Sequence, residues 1–313
     1  MRVTLLIRFQ PAQAMTTPRH PLFIVLATAM MMLVACSADD RSRKSKYNSA
    51  YQSPSVNGSG LRNPDMHLPD QLPASVGVSH SRGRTNLPYI AMTFDDGPHP
   101  QNTPRLLDML RERNIKATFY VVGRSVNMYP EITRRIVAEG HEIGNHTWTH
   151  RNLTRLSNAS VRDEMERTRD IIVATCGVKP RTMRPPYGAL RQSQRNWIYQ
   201  EFGYPTILWN VDPEDWKRPG LSVVTSRILN NTRNGSIVLA HDLHKPTVDA
   251  MPKTLDGLLR RGFKFITVSQ LLALDAEPAG VPASSTGEAH VRDPSMVDPI
   301  VPVVNPLPDA LVQ

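Results

Sequence analysis

Short apolar runs alternate with amphipathic segments between residues 88 and 275. Apolar residues three or four positions apart, as in the stretch "NTPRLLDMLRERN", are typical of a helix with one buried face. Runs of β-branched and aromatic residues, as in "ATFYVVG", are typical of strands. The sequence therefore predicts helices over 102–114, 130–139 and 160–174. It predicts strands over 89–94, 117–123, 141–146, 182–185, 205–211, 236–240 and 263–268.

The pattern within the predicted strands indicates the fold class. Most of these strands are apolar throughout instead of alternating, which is typical of strands buried on both faces of a parallel sheet. Strands that alternate with helices imply right-handed crossovers and an α/β fold. About seven such units fit a small or incomplete barrel better than a doubly wound sheet. No glycine-rich phosphate loop follows the first strand, which argues against nucleotide binding.

Both ends of the chain lack this periodicity. Residues 1–36 are interpreted as a signal peptide, because their apolar run is too short for a comfortable membrane span. The tetrapeptide Leu33-Val34-Ala35-Cys36 resembles a bacterial lipobox, in which Cys36 would carry the lipid, and Met15 stands where a more usual signal peptide would start. The polar residues 37–87 predict a flexible linker, and the proline-rich residues 276–313 predict a disordered tail. One domain is expected over 88–275.

Composition and charge narrow the classes of function. The 313 residues are 40% hydrophobic, enough for a domain with a real core. The formal net charge is +9, but the basic residues are scattered and form no stripe with aromatic residues. No nucleic-acid partner is therefore expected, and attraction to an anionic envelope or membrane surface is the preferred interpretation. If Cys36 is lipidated, Cys176 has no disulfide partner and is expected to be a small core residue near a helix end.

Polar residues follow the predicted strands at the rim where α/β barrels assemble active sites. These residues are Asp95 and Asp96, His146 and His150, Arg184 and Tyr187, Asp212 and Asp215, and His241 and Asp242. Taken singly, each has a simpler explanation, such as a turn aspartate, an exposed histidine or a hydrogen-bonded buried histidine. Five such groups in strand order on one rim favour an active site.

The spacing of His146 and His150 is compatible with one metal ion. Residues four apart share one face of a helical turn, and two imidazoles can bind the same ion. Because exposed histidines also fall four apart by chance, this spacing alone is a weak signal. An added carboxylate would complete a set of ligands that leaves a position open for water, as in hydrolytic zinc centres.

The adjacent carboxylates Asp95 and Asp96 can supply both a ligand and a base. Neighbouring side chains on a regular strand point to opposite faces. The strand runs directly into Gly97–Pro98, where the pleat is lost, so both side chains can turn toward one cavity. Arg184 could hold the base by a paired hydrogen bond.

These segments together resemble the polysaccharide deacetylase family, the NodB-homology domain of carbohydrate esterase family 4. Its five motifs are present in order as "TFDDGP" (93–98), "HTWTH" (146–150), "RPPYG" (184–188), "DPEDW" (212–216) and "LAHD" (239–242). The resemblance covers about residues 88–275 and shows no departure at a catalytic position. It implies a distorted (β/α)7-8 barrel with a single catalytic domain.

The resemblance also implies a metal centre and a base. It makes Asp96, His146 and His150 the ligands of one divalent ion, expected to be zinc, with cobalt and nickel as alternatives. It makes Asp95 the general base, which Arg184 orients.

The remaining roles that the resemblance implies concern the leaving group and the acetyl group. His241 would be the general acid, with Asp215 as its carboxylate partner. The backbone N–H of Tyr187 would bind the oxyanion together with the metal. Trp216 and Leu239 would form the walls of the pocket for the acetyl methyl group.

The leading hypothesis is a metal-dependent deacetylase that hydrolyses N-acetylglucosamine units of peptidoglycan or a chitin-like envelope glycan. An O-acetyl esterase acting on xylan or another glycan would use the same residues, and an inactive envelope-binding lipoprotein is the alternative from another class. The protein is expected to be a monomer in the cell envelope, held at the periplasmic face through lipid on Cys36. Ser37 after the cysteine favours the outer membrane.

Overall fold

The computed structural model describes residues 60–68 and 71–274. Its strands are β1 (Ser79–His80), β2 (Tyr89–Asp95), β3 (Thr118–Val121), β4 (Glu142–Asn145), β5 (Thr206–Ile207), β6 (Ile237–His241) and β7 (Lys264–Phe265). Its α-helices are α1 (Asn102–Glu112), α2 (Gly123–Met128), α3 (Pro130–Ala138), α4 (Asn158–Cys176), α5 (Gln192–Phe202), α6 (Leu221–Asn231), α7 (Lys245–Arg260) and α8 (Val268–Ala273). Short 3₁₀ turns lie at Leu153–Arg155, Pro186–Gly188 and Asp215–Lys217.

Parallel pairing organises the strands around β2. The main sheet has the order β4-β3-β2-β6, and β7 pairs with the start of β2. Isolated parallel bridges join Met183 to Asn145 of β4 and to Thr206 of β5, and join Val211 to Val238 of β6. The segment that contains Met183, β5 and Val211 therefore connects the two edges of the main sheet. This connection closes the strands into a distorted α/β barrel, so the predicted fold class is confirmed.

Alternation along β2 separates the helix-facing side from the barrel interior. Ile90, Met92 and Phe94 belong to the large cluster that packs on the helices, whereas Ala91 belongs to a second cluster with strand residues of the interior. Because successive side chains alternate, Thr93 and Asp95 lie on the same side as Ala91. The strand thus delivers Asp95 to the inner rim of the barrel.

Local sequence signals set the ends of the longest helix. The Ser157 side chain accepts a hydrogen bond from the Ser160 N–H (3.2 Å) and caps the start of α4. Gly177 ends the helix with a φ of 71°. Cys176 is the last residue of α4 and is partly buried against the main cluster, as expected. Burial raises the pKa of its thiol to about 11, so the thiol is unreactive at neutral pH.

The structure confirms four of the seven predicted strands and corrects three. The predictions at 89–94, 117–123, 141–146 and 236–240 correspond to β2, β3, β4 and β6. The predicted strand at 182–185 is wrong, because only Met183 forms bridges and the prolines that follow have no N–H to donate. The predicted strand at 205–211 is limited to β5 and an isolated bridge at Val211, because the Ile237 N–H donates to the Asn210 side chain and not to a backbone carbonyl. The predicted strand at 263–268 ends at Phe265, since Thr267 caps α8.

The predicted flexible linker is wrong over its second half, which we call the arm (residues 60–68 and 71–87). Asn63 is 4% exposed. Its side chain accepts from the Phe265 N–H (2.8 Å) and donates to the Phe265 carbonyl (2.9 Å). Leu68, Leu72 and Val76 pack against the second apolar cluster. The linker is predicted to be flexible because its composition is mostly polar. Its few apolar residues are widely spaced, and the pairing of the Asn63 amide with β7 has no sequence pattern.

Asn63 also shows where the arm is docked. Its N–H bonds to the carbonyl of Arg113, the residue that follows α1 (2.7 Å). Since α1 runs from the carboxyl end of β2 back toward the start of β3, this contact lies at the end of the barrel opposite the carboxyl ends of the strands.

Several predictions concern residues outside the described ranges. These are the signal peptide over 1–36 with Cys36, the first part of the linker, and the tail over 276–313. Within residues 60–68 and 71–274, no helix has the length and apolar character needed to cross a membrane.

Candidate active site

The ends of two neighbouring strands place a carboxyl group and an imidazole side by side at the rim. Asp95 is the last residue of β2 and His241 is the last residue of β6, and the two are register partners. One pair further in, Thr93 is the partner of Leu239. These four residues therefore share the inner face of the barrel.

Asp95 is buried against a guanidinium that has no exposure to solvent. Arg184 is 0% exposed and donates from Nη1 to Asp95 Oδ1 (2.7 Å) and to Thr93 Oγ1 (2.7 Å). Its Nε and Nη2 donate to the carbonyls of Ile207 and Leu208, both at 3.2 Å. The predicted paired hydrogen bond is thus a single bond, because the other donors of the guanidinium bind other oxygens. This bonding fixes Arg184, which in turn fixes one oxygen of Asp95.

Asp96 turns away from the strand through its own backbone. Its φ is 76°, in the left-handed region that only a few non-glycine residues adopt. The Gly97–Pro98 turn was expected to redirect the side chain, but the change of direction already occurs at Asp96. Asp96 Oδ1 lies 3.2 Å from His146 Nε2 and 3.1 Å from His150 Nε2.

The donor atoms of Asp96, His146 and His150 fit one divalent ion. One ligand atom from each residue lies within 4.8 Å of the others. Ligand atoms about 2.0 to 2.1 Å from a tetrahedral zinc ion would be about 3.3 Å apart, close to the contacts observed here. Asp96 Oδ1 is buried without a hydrogen-bond partner in the described part of the chain, as expected of an atom that binds an ion.

The surrounding groups set the protonation of these ligands. His146 Nδ1 lies 2.7 Å from the Arg184 carbonyl, an oxygen that can only accept, so Nδ1 carries the proton and Nε2 is free to bind metal. Burial would raise the pKa of Asp96, but its two histidine neighbours outweigh burial and hold this pKa well below its usual range. Asp96 is therefore a carboxylate at neutral pH.

The two histidines lie on a loop and not on the predicted helical turn. Thr147 and His150 have φ values of 67° and 58°, which a right-handed helix excludes. The Thr147 N–H donates to Asn145 Oδ1 (2.9 Å), and Thr149 donates to buried Glu164 of α4 from its N–H (2.7 Å) and from its hydroxyl. These bonds bring the histidines together without a helix.

His241 belongs to a second buried network. Its Nδ1 lies 2.8 Å from Asp215 Oδ1, and its backbone N–H donates to Asp215 Oδ2 (2.9 Å). The Thr247 hydroxyl also donates to Asp215 Oδ2 (2.8 Å). Burial lowers the pKa of His241, but Asp215 outweighs burial and raises the pKa to about 9. His241 is therefore protonated at neutral pH and can donate a proton.

The remaining predicted residues occupy different depths. Leu239 is 2% exposed inside the barrel, whereas Trp216 is 52% exposed beside Asp215. Tyr187 has a φ of 62°, and its ring, which is largely exposed, lies 4.9 Å from that of His150. The N–H groups of Gly188 and Ala189 bond back to the prolines before Tyr187, which fixes the Tyr187 backbone near the histidines.

The residues that support these groups have no motif that marks them in the sequence. Thr93 precedes Asp95 by two positions on the same strand face, a spacing that could have indicated its contact with Arg184. Glu164 lies on α4, 15 residues after Thr149, and Thr247 lies on α7, 32 residues after Asp215. No local signal relates them to the loop or to Asp215. Cys36, the predicted lipidation site, lies outside the described residues.

The sequence of this chain is similar to a family model and to several known proteins. The family model described as "Polysaccharide deacetylase" matches residues 82–207. The chain is 41% identical over 201 residues to a peptidoglycan-N-acetylglucosamine deacetylase of Listeria monocytogenes, an alignment that covers 64% of this chain and 42% of that protein. It is 40% identical over 197 residues to a chitooligosaccharide deacetylase of Bradyrhizobium, covering 58% of this chain and 90% of the relative.

A solved structure shows the same similarity in three dimensions. A peptidoglycan N-acetylglucosamine deacetylase, 35% identical in sequence, gives a TM-score of 0.59 over 61% of this chain and 91% of that chain. Across these comparisons, the chain spans less than half of the Listeria relative and nearly all of the shorter relatives.

Proposed function

The chain belongs to the polysaccharide deacetylase family, and from that membership we propose that it is a metal-dependent hydrolase of carbon–nitrogen bonds other than peptide bonds. It removes N-acetyl groups from N-acetylglucosamine units of an envelope glycan, either peptidoglycan or a chitin-like polymer, and releases acetate. The relatives named for peptidoglycan and chitooligosaccharides support this substrate class.

The observation that carries the proposal is the placement of two separate proton-transfer groups at one rim. Asp95 is a buried carboxyl group fixed by Arg184, and it lies beside His241, which is on the neighbouring strand and which Asp215 keeps protonated. Amide hydrolysis requires both a base and an acid within reach of one site, since water must lose a proton and the amine must gain one.

The residues act in a definite order. Asp95 takes a proton from the attacking water, and Arg184 keeps its oxygen oriented. The positioned N–H of Tyr187 donates to the oxygen that develops negative charge. His241 then gives its proton to the nitrogen of the departing sugar amine, and the adjacent Asp215 stabilises the charged imidazole until that transfer.

Asp96, His146 and His150 hold the metal in this proposal. A divalent ion bound there would supply Lewis-acid chemistry, which activates water and polarises the acetyl carbonyl. We assign zinc, because two imidazoles and one carboxylate are usual zinc ligands, while cobalt and nickel suit the same set. Trp216 and Leu239 are assigned to the pocket for the acetyl methyl group.

The location of the enzyme is also part of the proposal. A lipid on Cys36 holds a monomer at the periplasmic face of the cell envelope, in the outer membrane. The support is the lipobox-like sequence at 33–36 and the cell-wall substrate named for the Listeria relative. Metabolic labelling with a palmitate analogue, with Cys36→Ala as the control, tests the lipid, and fractionation tests the location.

An acetate-release assay tests the activity. Chelator-treated protein is supplied with zinc, cobalt or nickel and offered peptidoglycan, N-acetylchitooligosaccharides or acetylated xylan. Release from either N-acetylated substrate is expected, with little release from xylan. Release from xylan alone would replace the proposal by an O-acetyl esterase, and no release from any substrate would favour an inactive envelope-binding protein.

A further inference from the structure

Asp242 is a buried carboxyl group to which the mechanism assigns no role. It follows His241 directly and is 0% exposed. Its Oδ2 accepts a hydrogen bond from the Thr103 hydroxyl (2.5 Å), and its Oδ1 has no hydrogen-bond partner within the described residues. No cation of the described chain forms an ion pair with it, although a carboxyl group is costly to bury alone. A carboxyl group at this buried position therefore indicates a role other than stabilising the fold.

The carboxyl group of Asp242 lies directly on the backbone of Gly97. A Cβ atom added at Gly97 would come within 2.3 and 2.4 Å of the two carboxyl oxygens and 2.7 Å of their carbon. Gly97 is not among the glycines with a positive φ, so its backbone conformation does not require glycine. Contact with Asp242 is the steric feature that excludes a side chain at position 97.

Gly97 connects Asp242 to the proposed metal ligand. It follows Asp96, and its carbonyl accepts from the Val122 N–H (3.0 Å) while the Asp96 N–H donates to the Tyr120 carbonyl (3.2 Å). The Asp242 side chain packs against this turn from the opposite direction. The left-handed backbone of Asp96, which aims its carboxylate at the histidines, is therefore held between the end of β3 and the carboxyl group of Asp242.

Thr103 fixes the orientation of Asp242. Its hydroxyl accepts from the His99 N–H (2.7 Å) and donates to Asp242, so both of its polar functions are used. Thr103 is 0% exposed and lies in the first turn of α1. The chain of contacts thus runs from the start of α1 through Asp242 to the turn after Asp96.

We propose that Asp242 is a positioning residue whose carboxyl group, oriented by Thr103, sets the Gly97 turn and through it the direction of the Asp96 ligand. The inference rests on the proposed metal-binding role of Asp96. It predicts that residues 97 and 242 are coupled, because the volume added at one position is the volume that can be removed at the other.

A double-mutant cycle on the full chain tests this coupling. The variants are Gly97→Ala, Asp242→Ala and the combination, and the readouts are the Kd for Zn²⁺, measured by competition with a chromophoric chelator, and kcat for acetate release. Gly97→Ala is expected to weaken zinc binding at least 100-fold. The combined variant is expected to bind zinc at least tenfold more tightly than Gly97→Ala, because the clash is gone.

Matched variants separate positioning from a general effect on folding. Asp242→Asn keeps the shape of the side chain and should keep the Kd for zinc within about threefold of wild type, whereas Asp242→Ala should weaken binding 10- to 100-fold. Asp249→Ala, a change at a partly exposed position on α7, should not rescue Gly97→Ala. Thermal unfolding of the metal-free variants shows which of them fold, and the comparison of Asp242→Asn with Asp242→Ala applies even if Gly97→Ala does not fold.

The outcomes are distinguishable. Wild-type zinc affinity in Gly97→Ala, absence of rescue in a folded double variant, or equal zinc affinity of Asp242→Asn and Asp242→Ala would each overturn the positioning role. Wild-type protein that neither binds zinc nor releases acetate would instead overturn the proposed function.

Discussion

At the scale of single residues, Asp95 and Asp96 are neighbours with different surroundings. Asp95 is 3% exposed and bonded to Arg184, whereas Asp96 faces two imidazoles and has an oxygen without a hydrogen bond in the described chain. The left-handed φ of Asp96 separates the two environments. Adjacent residues of one type can thus serve as base and ligand because the backbone turns between them.

Replacing Asp95 by asparagine tests the base. The amide keeps the shape of the side chain but cannot take a proton from water, so kcat should fall about 10²- to 10⁴-fold. Zinc content, measured by mass spectrometry, should stay near that of wild type because Asp95 is not among the proposed ligands. An Asp95→Asn protein with near wild-type kcat would contradict the base assignment.

Replacing Asp215 by asparagine tests the acid through pH. Burial alone lowers the pKa of His241, and Asp215 raises it to about 9. A general acid must be protonated, so activity is lost as pH rises through that pKa. In Asp215→Asn the alkaline limb of the kcat profile should move to lower pH by more than about one unit, measured by acetate release between about pH 6 and 10. An unmoved limb would show that another group titrates there.

At the scale of elements, the loop between β4 and the turn at 153–155 depends on α4. Two donors of Thr149 bind Glu164, which is 5% exposed, and this contact holds the loop that carries both proposed histidine ligands. The α-helix that follows the loop in the chain therefore determines the geometry of the loop.

Replacing Glu164 by glutamine should weaken zinc binding about 10- to 100-fold, the usual effect of losing support behind a ligand. The amide cannot accept from both donors of Thr149 as the carboxylate does. Chelator competition measures the change, and Asp163→Asn, an exposed change on the same helix, is the control. Equal zinc affinity in Glu164→Gln and wild type would show that the loop is rigid without this contact.

Some elements are predictable from the sequence and others are not. Apolar periodicity predicted β2, β3, β4 and β6, and with them the rim, because burial on two faces leaves a clear pattern. The positive φ of His150 has no such signal, so a spacing of four was interpreted as helical although a loop provides it. The docking of Asn63 on Phe265 joins positions about two hundred residues apart, which no local pattern reveals.

At the scale of the whole molecule, a buried histidine makes stability depend on pH. The Ala117 N–H donates to His141 Nδ1 (3.2 Å), and His141 Nε2 has no hydrogen-bond partner in the described part of the chain. Burial, with the charges of Lys116 and Arg135, lowers the pKa of His141 from 6.5 to about 3. Protonation would place a proton on the nitrogen that must accept from Ala117.

The sign of this effect is determined by the unfolded chain. Below pH 6.5 the unfolded histidine binds a proton that the folded one does not, so stability is lost as pH falls from 6.5 toward 3. His141 should remove about 2 kcal/mol between pH 7 and pH 5. Urea unfolding at the two pH values measures this loss, and His141→Asn, which keeps an acceptor but does not titrate, should lack it. Equal losses in the two proteins would contradict the prediction.

The arm docks at one end of the barrel, and the proposed active site lies at the other. Asn63 anchors the arm beside Phe265 and Arg113, at the start of the strands, while Asp95, the proposed base, lies at their carboxyl ends. The described chain therefore begins, at residue 60, near the end of the barrel opposite the rim that carries Asp95 and Asp96. A polymer can therefore approach the rim from the side of the barrel that faces away from the docked arm.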